Sequence, residues 1–119
     1  MTDPIQDVLK GLRREYLRDA PAKVAEARAL LSRLEAGDAV ALAELRRALH
    51  KLAGSGGSYG FEAVSSASRT GERIAKAALE SQRAATPQDV AALKAVIDDV
   101  GRAFDDAIRQ EPRAEDPPH

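Results

Sequence analysis

The chain has 119 residues, the length of one ordinary domain, which leaves room for a single hydrophobic core. Its 18 basic and 19 acidic side chains give a formal net charge of −1, so no large field of one sign is present to attract nucleic acid. Cysteine is absent, which excludes disulfides and thiolate metal sites, and no apolar run approaches the roughly 18 residues of a membrane span.

The composition favours an all-α fold. Helix-forming residues such as alanine, leucine, glutamate and arginine are abundant, aromatic residues make up only 3%, and β-branched residues are sparse and unclustered. The N-terminal segment Met1–Pro4 lacks the basic and apolar regions of a secretory signal. Together with the absence of cysteine, this leads us to expect a cytoplasmic protein.

Apolar residues at helical spacing predict five helices. The first two are predicted over about Pro4–Leu17, with Asp3 as the N-cap, and Pro21–Ala36. Gly37–Asp38 separates the second helix from the third. The third is predicted over about Ala39–Gly54 or a little beyond, where four glycines in seven residues indicate its end.

The last two helices are predicted over about Phe61–Arg83 and Pro87–Gln110, with Thr86 as the N-cap of the last. Residues 111–119 are Pro-rich and charged, which predicts a disordered tail. The apolar side chains that fall at helical spacing on these five helices are, in chain order, Ile5, Val8, Leu9, Leu12, Tyr16, Val24, Ala27, Leu31, Leu34, Leu42, Leu45, Leu49, Leu52, Phe61, Val64, Ala67, Ala75, Ala78, Leu79, Val90, Leu93, Ile97, Val100, Phe104 and Ile108.

Four amphipathic helices of similar length with short connections predict an antiparallel four-helix bundle over about residues 21–110. We expect the additional N-terminal helix to pack across or beside this bundle, so that the domain covers residues 1–110. Because one chain supplies all four bundle helices, we expect a monomer that binds neither nucleic acid nor a membrane.

Of the two histidines, His50 is the candidate for chemistry, because His119 ends the tail that we predict to be disordered. At 100° per residue, His50 lies about 120° from the centre of the leucine seam on the third helix. It is therefore predicted to face solvent or a partner. A neutral imidazole is a competent nucleophile near neutral pH.

The residues around His50 suit an anionic group on the ring. Arg46, Arg47 and Lys51 supply positive charge, and arginine pairs well with phosphoryl oxygens. Gly54 lies one turn after His50 on the same face, where a missing side chain would let another protein's backbone approach. Taken singly, each feature is more often structural, since most surface histidines have no function and most glycine runs only end a helix.

The segment Leu45–Gly60, LRRALHKLAGSGGSYG, resembles the signature of histidine-containing phosphotransfer (HPt) domains. In that family the histidine is followed by an apolar residue two positions on and by glycines four and ten positions on. The corresponding residues here are Leu52, Gly54 and Gly60. The detailed match extends over about residues 42–72.

The resemblance implies a phosphocarrier without autokinase activity in bacterial two-component signalling. His50 would accept a phosphoryl group from an aspartyl-phosphate of a response-regulator receiver domain, which could belong to a hybrid histidine kinase, and would pass it reversibly to a second receiver. No cofactor is expected on this chain, because the receiver would bind the Mg²⁺. The residues expected to support the phosphoryl group or to contact the partner are Arg46, Arg47, Lys51, Gly54, Ser55 and Gly60.

Two other interpretations compete with phosphotransfer. One is a helical adaptor that binds a receiver without chemistry, but degenerate relatives of that kind lack the histidine that this chain keeps. The other is an independent enzyme, for which the sequence offers no paired-carboxylate site, zinc motif or nucleotide-binding loop. The remaining length is also too short for the ATP-binding domain of a histidine kinase.

The chain departs from the family pattern at Ala53, because many members carry lysine three residues after the histidine. We expect Arg47 or Lys51 to stabilise the phosphohistidine in place of that lysine. Replacing the side chain that does this by alanine should then slow phosphoryl transfer to His50. Transfer rates from a radiolabelled phospho-receiver measure the effect. Unchanged rates in both alanine variants would show that neither side chain does so.

Overall fold

The computed structural model describes residues 3–111, and every regular element in that range is an α-helix. The helices are α1 (Pro4–Arg18), α2 (Ala20–Glu35), α3 (Val40–Ser58), α4 (Glu62–Glu80) and α5 (Pro87–Gln110). The all-α prediction is therefore confirmed. The tail predicted to be disordered lies, apart from Glu111, outside the described residues. Within residues 3–111, no helix is long and apolar enough to cross a membrane.

Helices α2 to α5 form a bundle in which each helix packs against the next one along the chain and α5 closes the ring against α2. The connections span residues 36–39, 59–61 and 81–86, and such short connections make consecutive helices run antiparallel. The core is built from apolar side chains that face inward from all four helices. Its largest fully buried apolar members are Leu45, Leu49, Val64, Leu93, Ile97, Val100 and Phe104.

Small residues let α3 and α4 approach each other closely. A Cβ atom added to Gly56 would lie 3.0 Å from Val64 Cγ1 and 3.1 Å from the backbone nitrogen of Ser65, which leaves no room for any side chain. Ser65 is fully buried, and its hydroxyl donates a hydrogen bond to the carbonyl of Ala53 at 2.8 Å. The two helices are thus locked in one register by packing and by a hydrogen bond.

Helix α3 continues to Ser58, one turn past Gly54, where the sequence predicts that it ends or runs on a little. A glycine inside a helix costs only about 1 kcal/mol relative to alanine, and the packing of α3 on α4 offsets that cost. Gly60, two residues after the helix end, adopts a φ of +82°, in the left-handed region that glycine tolerates best. Phe61 N–H then donates to the carbonyl of Gly56 at 2.7 Å, which closes the turn into α4.

The predicted N-caps of the first and last helices are confirmed. A carboxylate oxygen of Asp3 accepts a hydrogen bond from Ile5 N–H at 2.9 Å. Thr86 and Asp89 form a reciprocal capping box, in which each side chain accepts from the other's backbone N–H at 3.0 Å. At the other end of this linker, α4 stops at Glu80 rather than at Arg83, and Gln82 in the turn that follows adopts a φ of +56°.

Only the C-terminal part of α1, from Arg13 onward, packs on the bundle. The Tyr16 ring stacks on the Tyr59 ring with centroids 4.7 Å apart and on the Phe61 ring at 5.8 Å, and Leu17 is buried beside them. Burial raises the pKa of the Tyr16 phenol, partly offset by its hydrogen bond to Ser55. The Tyr59 side chain therefore packs in the aromatic cluster with Tyr16 and Phe61. The core has few large side chains, so this packing supplies volume that it needs.

Five side chains of the predicted apolar stripes are exposed. Ile5, Val8, Leu9 and Leu12 lie on the first three turns of α1, beyond the reach of the bundle, and expose 40 to 68% of their surface. Ile108 near the end of α5 is 41% exposed. The apolar stripes were identified correctly as helical faces, but their burial depends on whether another helix lies opposite.

Two glycines provide a test of the α3–α4 packing. A Cβ atom on Gly71 would lie 2.7 Å from Val96 Cγ1 and 2.9 Å from Leu49 Cδ1, whereas one on Gly54 would meet no atom within 4 Å. Gly54→Ala should therefore raise the free energy of unfolding by about 0.5–1 kcal/mol through helix propensity alone. In Gly71→Ala the gain in helix propensity is the same, but overpacking destabilises the fold by about 1–3 kcal/mol and should cancel or exceed that gain.

Chemical denaturation of the two alanine variants and the parent chain measures this difference. Equal stabilisation by both substitutions would show that α3 and α4 can separate at Gly71 without loss.

Candidate functional site

The side chain of His50 projects from α3 into solvent and is 72% exposed, as its position opposite the leucine seam predicts. Its Nδ1 atom lies 2.8 Å from Oε1 of Glu72, a residue of α4 whose side chain is only 22% exposed. The imidazole is therefore anchored through one nitrogen, and its other nitrogen, Nε2, points away from the anchor.

The core directly beneath this pair positions it. Leu49 is fully buried and contacts the position of Gly71, and the next residues on the two helices are His50 and Glu72. Gly71 lets the two helices approach each other closely. The carboxylate of Glu72, the next residue, therefore reaches the imidazole of His50. Sequence analysis missed Glu72, because its contact joins two helices and no local pattern marks it.

The Glu72 contact selects the tautomer of His50. An ionised carboxylate only accepts hydrogen bonds, so in the neutral ring Nδ1 carries the hydrogen and donates it to Glu72. The lone pair of the ring then resides on Nε2. The arrangement presents a nucleophilic nitrogen to solvent and keeps a negative charge at the opposite side of the ring, where it can stabilise an imidazolium.

Three cationic side chains line the same cavity as the imidazole. Arg46, Arg47 and Lys51 line, together with His50 and Glu72, an open cavity of about 350 Å³. Arg46 is half-buried, and Arg47 and Lys51 are exposed. The structure therefore brings together all three predicted cations and the histidine, in a setting that favours an anionic group on the ring.

The family model of the Hpt domain matches residues 11–103, which is more than three quarters of the chain and includes His50, Glu72 and all three cations of the site. The chain belongs to the Hpt domain family. Hpt domains are phosphocarrier modules that act in histidine phosphotransfer of two-component signalling. Searches of curated proteins and of solved structures gave no match.

Gly54 of this Hpt domain lies on the exposed face of α3, one turn from His50. An added Cβ atom would meet nothing within 4 Å, so the packing of the chain itself does not require a glycine there. The bare backbone instead leaves the approach to the imidazole open on that side. A role for Gly54 in partner access stays a prediction.

Ser55 and Gly60 lie away from the imidazole. The Ser55 hydroxyl donates to the Lys51 carbonyl at 2.8 Å and is hydrogen-bonded to the Tyr16 hydroxyl at 2.7 Å, so it ties α1 to α3. Gly60 is ten residues after His50, about 15 Å along the helix axis, and its backbone conformation ends α3. Neither residue lines the cavity around His50.

A second groove, of about 380 Å³, runs between α2 and α3 beside the first. Arg47 and Lys51 line both cavities and therefore form the ridge between them. Ala53, at the position of the family lysine, is buried, so no cation is available from that position. Among residues 3–111, no group of three or more His, Asp or Glu side chains is arranged to hold a metal ion.

The tautomer of His50 can be measured directly. In ¹⁵N NMR spectra of the neutral imidazole, Nδ1 should be the protonated nitrogen, because Glu72 accepts its hydrogen bond. Glu72→Gln should weaken this preference, since a side-chain amide can donate as well as accept. The His50→Gln variant assigns the signals. An Nε2-protonated ring in the parent chain would contradict the arrangement.

Proposed function

We propose that this Hpt domain is a phosphorelay intermediate that carries the phosphoryl group on Nε2 of His50. The observation that supports the proposal most strongly is the contact between His50 Nδ1 and Glu72, which leaves Nε2 unprotonated and exposed beside a cavity that Arg46, Arg47 and Lys51 also line. The donor and the acceptor are aspartate residues of response-regulator receiver domains, including those of hybrid histidine kinases.

The transfer step requires no proton to leave the site. The Nε2 lone pair attacks the phosphorus of the aspartyl-phosphate, a P–N bond forms, the P–O bond to the aspartate breaks, and the aspartate leaves as a carboxylate. The ring keeps its hydrogen on Nδ1 and becomes an N-phosphorylated imidazolium. Glu72 stabilises the positive charge that develops on the ring, and the reverse step returns the phosphoryl group to a second receiver.

The cations hold the phosphoryl group but do not by themselves drive the reaction. Arg46, Arg47 and Lys51 lie where they can offset the charge of the phosphoryl oxygens once these are attached to Nε2. We assign the Mg²⁺ of the reaction to the receiver domain. We also propose that this chain is a phosphocarrier without autokinase activity. The transfer unit is a single copy of the chain, since one chain completes the bundle and supplies every residue of the site.

The partner approaches over the bare backbone at Gly54. An exposed imidazole on a convex helical surface can enter the concave active site of a receiver, and a glycine one turn away removes the nearest obstacle. We further propose that the protein acts in the cytoplasm of a bacterium, and that α1 is an N-terminal addition to the four-helix bundle.

Phosphoryl transfer from a ³²P-labelled phospho-receiver to the full chain tests the proposal. Label should appear on the parent chain, should be lost in acid and retained in base, and should be absent from His50→Gln. A parent chain that binds receivers but takes label from none of them would instead support the adaptor interpretation.

A second pair of variants tests the role of Glu72. Glu72→Gln removes the charge that stabilises the imidazolium and should slow transfer by about 10- to 100-fold, the range found when a carboxylate that orients a metal-ligating histidine is lost. Glu80→Gln makes the same change on the same helix at an exposed position and should leave the rate unchanged. Equal transfer rates for Glu72→Gln and Glu80→Gln would show that Glu72 does not contribute to phosphoryl transfer.

A further inference from the structure

Arg69 is an exposed residue of α4, one turn before Glu72, and its side chain reaches across to α3. A Cβ atom added to Gly57 of α3 would lie 3.8 Å from Nη2 of Arg69 and 3.3 Å from the hydroxyl oxygen of Ser65. The guanidinium therefore lies against the bare backbone of α3, in a place that a longer side chain at position 57 would obstruct.

The arginines of the bundle differ in their partners from helix to helix. On α2 and α5, every arginine pairs with a carboxylate: Arg28, Arg33, Arg102 and Arg109. On α3 and α4, no arginine has a carboxylate partner within residues 3–111: Arg46, Arg47, Arg69 and Arg73. The α3–α4 face thus keeps its positive charge available for an anionic group from outside the chain.

Bare backbone separates Arg69 from the imidazole. Because α3 and α4 run antiparallel, residues that precede Glu72 on α4 lie beside residues that follow His50 on α3. The α3 residues on this side are Gly54 and Gly57, and a Cβ atom added to Gly54 would meet nothing within 4 Å. A partner that approaches the imidazole over this surface comes within reach of the Arg69 guanidinium.

We propose that Arg69 binds a carboxylate of the receiver domain that docks on His50, and that it helps to select receivers with an acidic group at that position. The inference rests on the receiver partner of the proposed function. A guanidinium suits this role because it can pair with a carboxylate through two parallel hydrogen bonds. The cations that line the cavity around His50 all belong to α3, so Arg69 extends the docking surface onto α4.

The chemistry of the receiver fits this surface. Its active site must present the phosphorylated aspartate together with oxygen ligands for Mg²⁺, and proteins supply these mainly as carboxylates. An acidic site of this kind and the unpaired cations of α3 and α4 have complementary charges. Such complementarity raises the rate of association and disfavours partners with the wrong charge.

The charge distribution favours an acidic protein surface over a nucleic acid or a membrane. Helix α5 contacts α2 and α4 and lies diagonally across the bundle from α3. It carries five aspartates against three cations, and the whole chain has a net charge of −1. The unpaired positive charge around His50 is therefore local, which fits an acidic patch of similar size better than an extended polyanion.

Receiver binding tests the proposal separately from phosphoryl transfer. The probes are Mg²⁺-loaded, unphosphorylated receiver domains from a panel, and stopped-flow fluorescence measures their association with the full chain at low and high salt. Arg69→Glu should lower the association rate about tenfold at low salt, and the loss should shrink at high salt because salt screens exposed charges. Arg102→Glu makes the same change of charge at an exposed residue of α5 and should associate like the parent.

A charge exchange identifies the group that Arg69 binds. A receiver in which one acidic residue at the rim of the active site is replaced by lysine should bind Arg69→Glu faster than it binds the parent chain. If no such replacement at the rim restores binding, Arg69 does not pair with a receiver carboxylate.

The outcomes separate this inference from phosphotransfer. Equal association of Arg69→Glu and Arg102→Glu with receivers that bind the parent would overturn the role of Arg69 and leave phosphotransfer untouched. Binding that depends on Arg69 without transfer of label would support the docking role and contradict phosphotransfer. A parent chain that binds no receiver, including one that binds DNA or anionic phospholipid vesicles instead, would overturn both.

Discussion

The close packing of α3 on α4 is the constraint on which the candidate site depends. Leu49 occupies the space that a side chain at position 71 would need, and this contact sets the register of the two helices. The next residue on each helix then faces solvent, and the pair formed there is His50 and Glu72. A core contact between apolar and small residues thus determines which carboxylate reaches the imidazole and which ring nitrogen stays free.

The site needs few parts because it only carries a group. A phosphocarrier must hold its imidazole in one tautomer, leave the nucleophilic nitrogen accessible, and stabilise the negative charge of the bound phosphoryl group. Here these requirements are met by Glu72, by the bare backbone at Gly54, and by cations on the turns around His50. The bundle contributes rigidity, since both helices that hold the reacting groups are anchored by buried leucine, valine and serine side chains.

Helix α1 has two different environments along its length. Its C-terminal part, from Arg13 onward, belongs to the bundle, where Tyr16 stacks on Tyr59 and Phe61, Arg13 lies over the Phe61 ring at 4.8 Å, and the Arg13 guanidinium pairs with Glu111 at 3.2 Å. Its residues from Asp3 to Leu12 are all exposed. The same apolar periodicity runs through both parts, so periodicity alone gives no indication of where the bundle ends.

The sequence by itself determined the helical class, the four bundle helices, the N-caps at Asp3 and Thr86, and the exposure of His50, because each follows from local propensity or from the 3.6-residue period. The family was recognisable from the short segment around His50 for the same reason: its residues are neighbours on one helix. Only the tertiary structure decided the partner of the histidine, since Glu72 comes from another helix and its approach depends on the absence of a side chain at Gly71. It also decided which glycine ends α3 and which apolar side chains of α1 are buried, because both depend on whether another helix lies opposite.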